Sequence, residues 1–144
     1  MKAKYSYIKI KPLSLDEGGC HIMMHGLLNG KRLCFIVDTG SSRTVIDKET
    51  VEKYVVQPDV SDVEGKAVTL SEKAIDISTV QIERLSFGKT ELSNYQAVVM
   101  DLSGVHNAYE TLELPRIHGI IGGDILRQCN AVINYETCRI RLSR

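Results

Sequence analysis

Cys34-Phe35-Ile36-Val37-Asp38-Thr39-Gly40-Ser41-Ser42 is the stretch on which the reading of this chain turns. A run of aromatic and β-branched apolar residues ends abruptly in Asp-Thr-Gly. Apolar runs of this length bounded by turn residues read as buried strands. A buried strand that delivers a single carboxylate into a tight turn poses a problem, because a lone buried carboxylate is costly. One arrangement that relieves the cost is a second carboxylate facing the first, the two sharing one proton.

The flanking sequence supplies the frame for that strand. Upstream, Cys20–Leu28 and Lys31–Val37 are joined by Asn29-Gly30, both of which tolerate positive φ, so an antiparallel hairpin is expected. Residues 3–11 alternate loosely and read as a strand, and 12–19 as a loop. Downstream, Thr44-Val45-Ile46 is a short β-type run, and Asp47 is placed to cap a helix over Lys48–Tyr54. Residues 57–65 read as a loop and 66–85 as two β-rich arms around Ser71-Glu72-Lys73. Phe87-Gly88-Lys89 is a turn, and 95–100 is another apolar strand. Residues 102–116 mix Gly, Asn, His and Pro and read as a long loop, a type usually functional or disordered. In Ile117-His118-Gly119-Ile120-Ile121-Gly122-Gly123-Asp124 a short apolar strand meets two glycines, and Asp124 is placed to cap a helix ending near Cys129. Residues 131–135 and 138–142 form a last pair of strands around Glu136-Thr137. The expectation is one domain over 1–144, all-β with two or three short helices, closed as a small barrel or sandwich.

Composition narrows the function classes. Lys plus Arg and Asp plus Glu number 18 each, so nothing favours nucleic acid or an anionic membrane surface as partner. Hydrophobic residues make up 43% and charged residues 25%, the balance of an ordinary globular protein. Residues 1–11 have no apolar core of the signal-peptide kind, and no run approaches a membrane span, so the cytoplasm is the expected location. The four cysteines, Cys20, Cys34, Cys129 and Cys138, form no Cys-x-x-Cys and are expected as free thiols. Cys20, His21, His25 and Cys34 lack the paired spacing of a zinc site. His21 and His25 would share the face of a helix, whereas their stretch reads as strand. No metal is expected.

Asp38-Thr39-Gly40-Ser41-Ser42, the β run Thr44-Val45-Ile46, and the later Ile120-Ile121-Gly122 with a short helix from Asp124 together resemble the retropepsin-like aspartic proteases. The likeness runs over about residues 23–142. The version Gly-Ile-Ile-Gly-Gly-Asp-Ile-Leu, with the hairpin after it, looks most like the bacterial single-domain members. The resemblance implies a small closed barrel of the retroviral-protease type, with Ile120-Ile121-Gly122 packed beside the catalytic loop. It implies an aspartic endopeptidase in which a water is activated between two Asp38 carboxylates. The chain holds one Asp-Thr-Gly and no Asp-Ser-Gly, so the pair requires a two-fold homodimer. Carried over residue by residue, Asp38, Thr39 and Gly40 are the catalytic triplet, Thr39 reaching across to its mate's backbone and Gly40 permitting the tight turn. Ser41, Ser42, Ile120 and Gly122 are the candidate substrate-binding residues. The partner is a peptide or protein substrate, and no cofactor is required. The rival reading is a catalytically silent peptide-binding or dimerisation module on the same fold.

Two features depart from the retroviral pattern. The flap of those enzymes is a glycine-rich hairpin tip, whereas the matching stretch here, 60–77, holds one glycine, and both Gly65-Lys66 and Ser71-Glu72-Lys73 are candidate tips. The terminal strands, which form the dimer sheet in retroviral enzymes, are longer. Plain structural roles also stand beside the catalytic ones: His118 as a strand-end histidine satisfied by backbone, Asp124 as a helix cap, and Asp101 as a turn residue. Ser41 and Ser42 lack the Gly-x-Ser-x-Gly elbow of a serine nucleophile.

Overall fold

The computed structural model describes residues 4–55, 60–62, 67–68, 74–75 and 78–144. Strands β1 (Tyr5–Lys9), β2 (Lys11–Ser14), β3 (Cys20–Leu28), β4 (Lys31–Val37) and β5 (Val45–Asp47) come first, followed by helix α1 (Lys48–Tyr54). Short strands β6 (Val60–Asp62), β7 (Ala67–Val68) and β8 (Ala74–Ile75) precede the long hairpin of β9 (Ser78–Phe87) and β10 (Thr90–Met100). Helix α2 (Ser103–Thr111), strand β11 (Gly119–Ile121), helix α3 (Gly123–Gln128), and strands β12 (Val132–Asn134) and β13 (Arg139–Ser143) complete the order. The described residues are mostly β, with three short α-helices and a 3-10 turn at Asp16–Gly18. Both candidate flap tips lie outside the described residues.

The central sheet runs β2-β3-β4-β11-β5-β10-β9-β6, and β3 also pairs with β9 through Leu27↔Ser86 and Leu28↔Leu85. That extra pairing closes six of the strands into a barrel. Closure depends on the β3–β4 turn, where Asn29 and Gly30 both have positive φ (49° and 84°). This turn is pinned to β9, the Asn29 N–H donating to the Arg84 carbonyl (2.8 Å) and the Arg84 N–H to Asn29 Oδ1 (3.0 Å). The barrel interior is filled by side chains including Met24, Phe35, Ile82, Phe87 and Ile121, all essentially inaccessible to solvent. Gly26 makes room for the Phe87 ring, which would lie 2.4 Å from a Cβ placed there. A separate sheet, β1-β13-β12, brings the two terminal strands together within one chain.

Two expectations need correction. The stretch read as a loop over 12–19 contains β2, which pairs with β3 from Lys11↔Met23 to Ser14↔Cys20. The stretch read as a long loop over 102–116 contains α2. Leu102, Val105 and Tyr109 recur at helical spacing and cover the outer face of the barrel. This cover explains why β4 is apolar on both faces instead of alternating. Leu33, Phe35 and Val37 fill the barrel, while Cys34 and Ile36 pack outward under Tyr109 and Ile117.

Candidate active site

Asp38 leaves the end of β4 just where β11 runs parallel beside it, Ile121 opposite Val37. The ladder continues one residue further, since the Asp38 N–H donates to the Ile121 carbonyl (2.9 Å). The chain then turns. The Ser41 N–H donates to the Asp38 carbonyl (3.2 Å), and the Gly40 N–H donates to Asp38 Oδ1 (2.9 Å). The carboxylate is therefore oriented by the backbone of its own turn. A Cβ at Gly40 would stand 3.3 Å from that same oxygen, so glycine keeps the approach open.

The strand is buried, but the acid is not. Asp38, Thr39 and Gly40 are exposed within the single chain, which corrects the expectation that this carboxylate is desolvated by its own fold. Among the described residues Asp38 enters no salt bridge and Thr39 makes no side-chain hydrogen bond.

The remaining expected residues divide between the cleft and the scaffold beneath it. Ile120, half-buried, joins Asp38 and Thr39 in lining a cleft of about 270 Å³, with β12 and the residue after it contributing Ile133 and Tyr135. Gly122 lies below, with the Ser41 and Arg43 carbonyl oxygens 2.7 Å from where a Cβ would sit. Its place is support for the Asp-Thr-Gly turn, not the cleft wall. Ser41 braces the same turn, its hydroxyl donating to the Arg43 carbonyl (2.8 Å) and its own carbonyl accepting from the Gly123 N–H (2.7 Å). Ser42 is exposed.

Asp124 differs from the expected cap. Helix α3 takes Gly122 as its N-cap, and Asp124 stands inside the first turn. Its carboxylate accepts from the Thr44 N–H (3.0 Å), the Thr44 hydroxyl (2.8 Å), the Ile125 N–H (2.9 Å) and the Tyr95 hydroxyl, and Arg43 Nε lies 3.6 Å away. Burial pushes the Asp124 pKa upward, but these donors together outweigh it and hold the carboxyl below its ordinary range. Burial first, then the Asp124 bond, drives the Tyr95 hydroxyl far above its usual value, so it stays protonated and donates. Asp47 likewise makes no cap bond to α1. Buried, it accepts the Leu102 N–H (3.0 Å) and so fixes the start of α2. His118 is held by backbone, as expected, its Nδ1 accepting the Cys34 N–H (3.1 Å).

Composition-based reading missed the wall that α2 builds. Val105 and Tyr109 line the cleft, and the Tyr109 hydroxyl is hydrogen-bonded to His21 Nδ1 (2.5 Å). Their spacing with Leu102 was the available signal. No group of three or more metal-ligating side chains occurs among the described residues. His21 and His25 do share a face, because residues four apart on a strand point the same way, but they stand about 13 Å apart along β3. All four cysteines are free. No helix among the described residues is long and apolar enough to cross a membrane.

Residues 24–125 match the family model described as aspartyl protease. No curated protein sequence matches the chain. Among solved structures, a retropepsin-like aspartic protease from Rickettsia conorii superposes with a TM-score of 0.58 at 16% identity, covering 99% of this chain and 94% of the other. The EIAV protease, solved with an inhibitor, gives 0.58 at 14% identity over 85% and 99% of the two chains. The retroviral protease-like domain of Ddi1 from Leishmania major gives 0.50 at 15% identity over 79% and 81%. At these identities the neighbours establish the fold as retropepsin-like, and the family model establishes the rest: the chain belongs to the aspartyl protease family.

Proposed function

We propose that the chain is an aspartic endopeptidase, active as a homodimer that brings two Asp38 carboxylates around one water. The observation that carries this reading is the exposed, backbone-oriented Asp38 at the mouth of an apolar cleft, in a chain that matches the family model. An extended peptide would lie in the cleft as a strand. The ionised member of the pair takes a proton from the water, whose oxygen attacks the peptide carbonyl carbon. The neutral member gives its proton to the carbonyl oxygen. Collapse of the tetrahedral diol breaks the C–N bond and passes a proton to the leaving nitrogen. Two carboxylates this close titrate as a pair, so the active form holds one proton between them. Among the described residues β12 pairs only with β13, and its other edge, next to Ile133 at the cleft, is the edge across which a second copy would be received.

The test is cleavage of a denatured protein by wild-type chain and by Asp38→Asn, with circular dichroism to check the fold. Wild type should cleave, Asp38→Asn should not, and dilute wild-type activity should rise with the square of chain concentration. Equal cleavage by Asp38→Asn would overturn the mechanism. Binding of extended peptides without turnover at any pH from about 3 to 8, the span in which the pair would become singly protonated, would leave a silent binding module instead.

A further inference from the structure

A second concavity, about 740 Å³, lies away from Asp38. It opens between the elbow at Ile10, where β1 gives way to β2, and the outer face of β3 and β4. Its floor includes Ile10 and Met23, both buried, and its rim carries Lys9, Lys11, His25 and Arg32. No Asp or Glu among the described residues lines it. Among the described residues none of Lys9, Lys11 and Arg32 takes part in an ion pair. The chain as a whole is balanced between acids and bases, so this groove is a local excess of positive charge over an apolar floor.

The strand register ties the groove to the cleft. His21, Met23 and His25 share one face of β3; His21 lines the cleft and His25 the groove. Strand β2 spans the same interval, with Lys11 opposite Met23 at the groove end and Ser14 opposite Cys20 at the cleft end. It pairs only with β3 among the described residues, so its other edge offers backbone groups to an added strand.

We propose that this groove is an exosite for an acidic, extended segment of the protein substrate, lying outside the residues that enter the cleft. The assignment of that segment to a substrate rests on the endopeptidase reading; the groove's preference for an acidic peptide does not. Carboxylates of the segment meet the rim cations Lys9, Lys11 and Arg32, alternate apolar side chains meet the apolar lining at Tyr7, Ile8 and Pro12, and the β2 edge supplies main-chain pairing. Because the charges are solvent-exposed, the contact weakens with salt.

The experiment measures binding by fluorescence anisotropy, using the full chain carrying Asp38→Asn so that no peptide is consumed. The probes are a labelled alternating Glu-Leu peptide and its Gln-Leu counterpart. The acidic peptide should bind at least about tenfold more tightly at low salt, and the advantage should shrink at high salt. Lys9→Glu with Lys11→Glu and Arg32→Glu should abolish the advantage. The corresponding glutamine variants should lessen it, which guards against misfolding of the charge-reversed chain. Equal binding of the two peptides, or an advantage that survives charge reversal, overturns the proposal. Binding of decanoate that the acidic peptide cannot displace also overturns it, since the groove would then serve a small amphiphile. Acidic-peptide selectivity in a chain whose wild type cleaves nothing upholds the groove and refutes only the endopeptidase reading.

Discussion

Thr44 and Asp124 stand 80 residues apart in sequence and are joined twice, the Thr44 amide and hydroxyl both donating to one carboxylate. The same hydroxyl accepts the Gly122 N–H (3.1 Å). One threonine therefore locks the start of α3 to the chain leaving the Asp38 turn. Asp124→Ala leaves the Thr44, Ile125 and Tyr95 donors without their acceptor. Its expected cost is about 2–4 kcal/mol, since buried polar groups are stranded rather than removed. Thr44→Val should cost about 1–3 kcal/mol by stripping Gly122 of its acceptor. Urea titration measures both.

The Asp124 carboxyl is held below its ordinary pKa, so its stabilising contribution has a definite pH window. In the unfolded chain an aspartate takes up its proton at about pH 3.9. In the folded chain it does so at lower pH. The stabilisation is thus complete above the unfolded value and is lost as pH falls through the folded one. Cleavage assays in mild acid should meet an intact fold, and the decline in stability as pH falls below about 4 should be steeper in the wild-type chain than in Asp124→Asn, which lacks the titrating carboxyl. An Asp124→Asn chain whose acid limb is unchanged would refute this.

His118 runs on a different window. Burial first, and then the nearby Arg116 charge, lower its pKa, and its Nδ1 must keep a lone pair to accept the Cys34 N–H. The unfolded histidine gains its proton near pH 6.5, while the folded one resists until lower pH. Between those values the unfolded state binds more protons, so stability declines as pH falls. It is complete above about 6.5 and levels off below the folded pKa. His118→Asn, which retains an acceptor, should flatten that slope in pH-dependent urea titrations.

Glycines separate by what surrounds them, which gives a paired prediction. At Gly122 a methyl group would meet two backbone carbonyl oxygens at 2.7 Å, neither able to swing aside. Gly122→Ala should cost about 1–3 kcal/mol or more and disturb the Asp38 turn. At Gly104, in the first turn of α2, nothing lies within 4 Å of a Cβ. Gly104→Ala should stabilise by about 0.5–1 kcal/mol by lowering the entropy of the unfolded chain. Thermal unfolding of the two variants should move in opposite directions.

Much of this architecture is local enough to read from residues. Asn29-Gly30 announces its turn by φ preference alone, and the run before Asp38 announces a buried strand. What escaped reading depends on partners distant in sequence. Lys11–Ser14 is too short and too interrupted by Pro12 to signal a strand, and becomes one only beside β3. Helix α2 is masked by Gly104, His106 and Asn107, although Leu102, Val105 and Tyr109 keep its apolar stripe. Asp47 and Asp124 both sit where a cap is usual, yet tertiary donors at Leu102 and Thr44 claim their carboxylates. The support of the Asp38 turn also comes from distant sequence, since β11 and the two glycines after it hold its backbone.

Tyr109 joins the missed helix to the cleft and gives the most direct test of that wall. Its ring is only 4% exposed, packed with Ile36 and Ile117, and its hydroxyl bonds to His21. Burial pushes its pKa upward, so the hydroxyl stays protonated through the neutral range. Tyr109→Phe keeps the packing and removes one hydrogen bond, for an expected loss of about 1 kcal/mol. Tyr109→Ala removes the ring as well, and should cost about 3–5 kcal/mol. If α2 forms the cleft wall, Tyr109→Phe should alter the apparent affinity for peptide substrates while leaving the rate at saturation nearly unchanged, because no reacting atom touches the ring. A peptide-library profile identical to wild type would show that α2 only roofs the barrel.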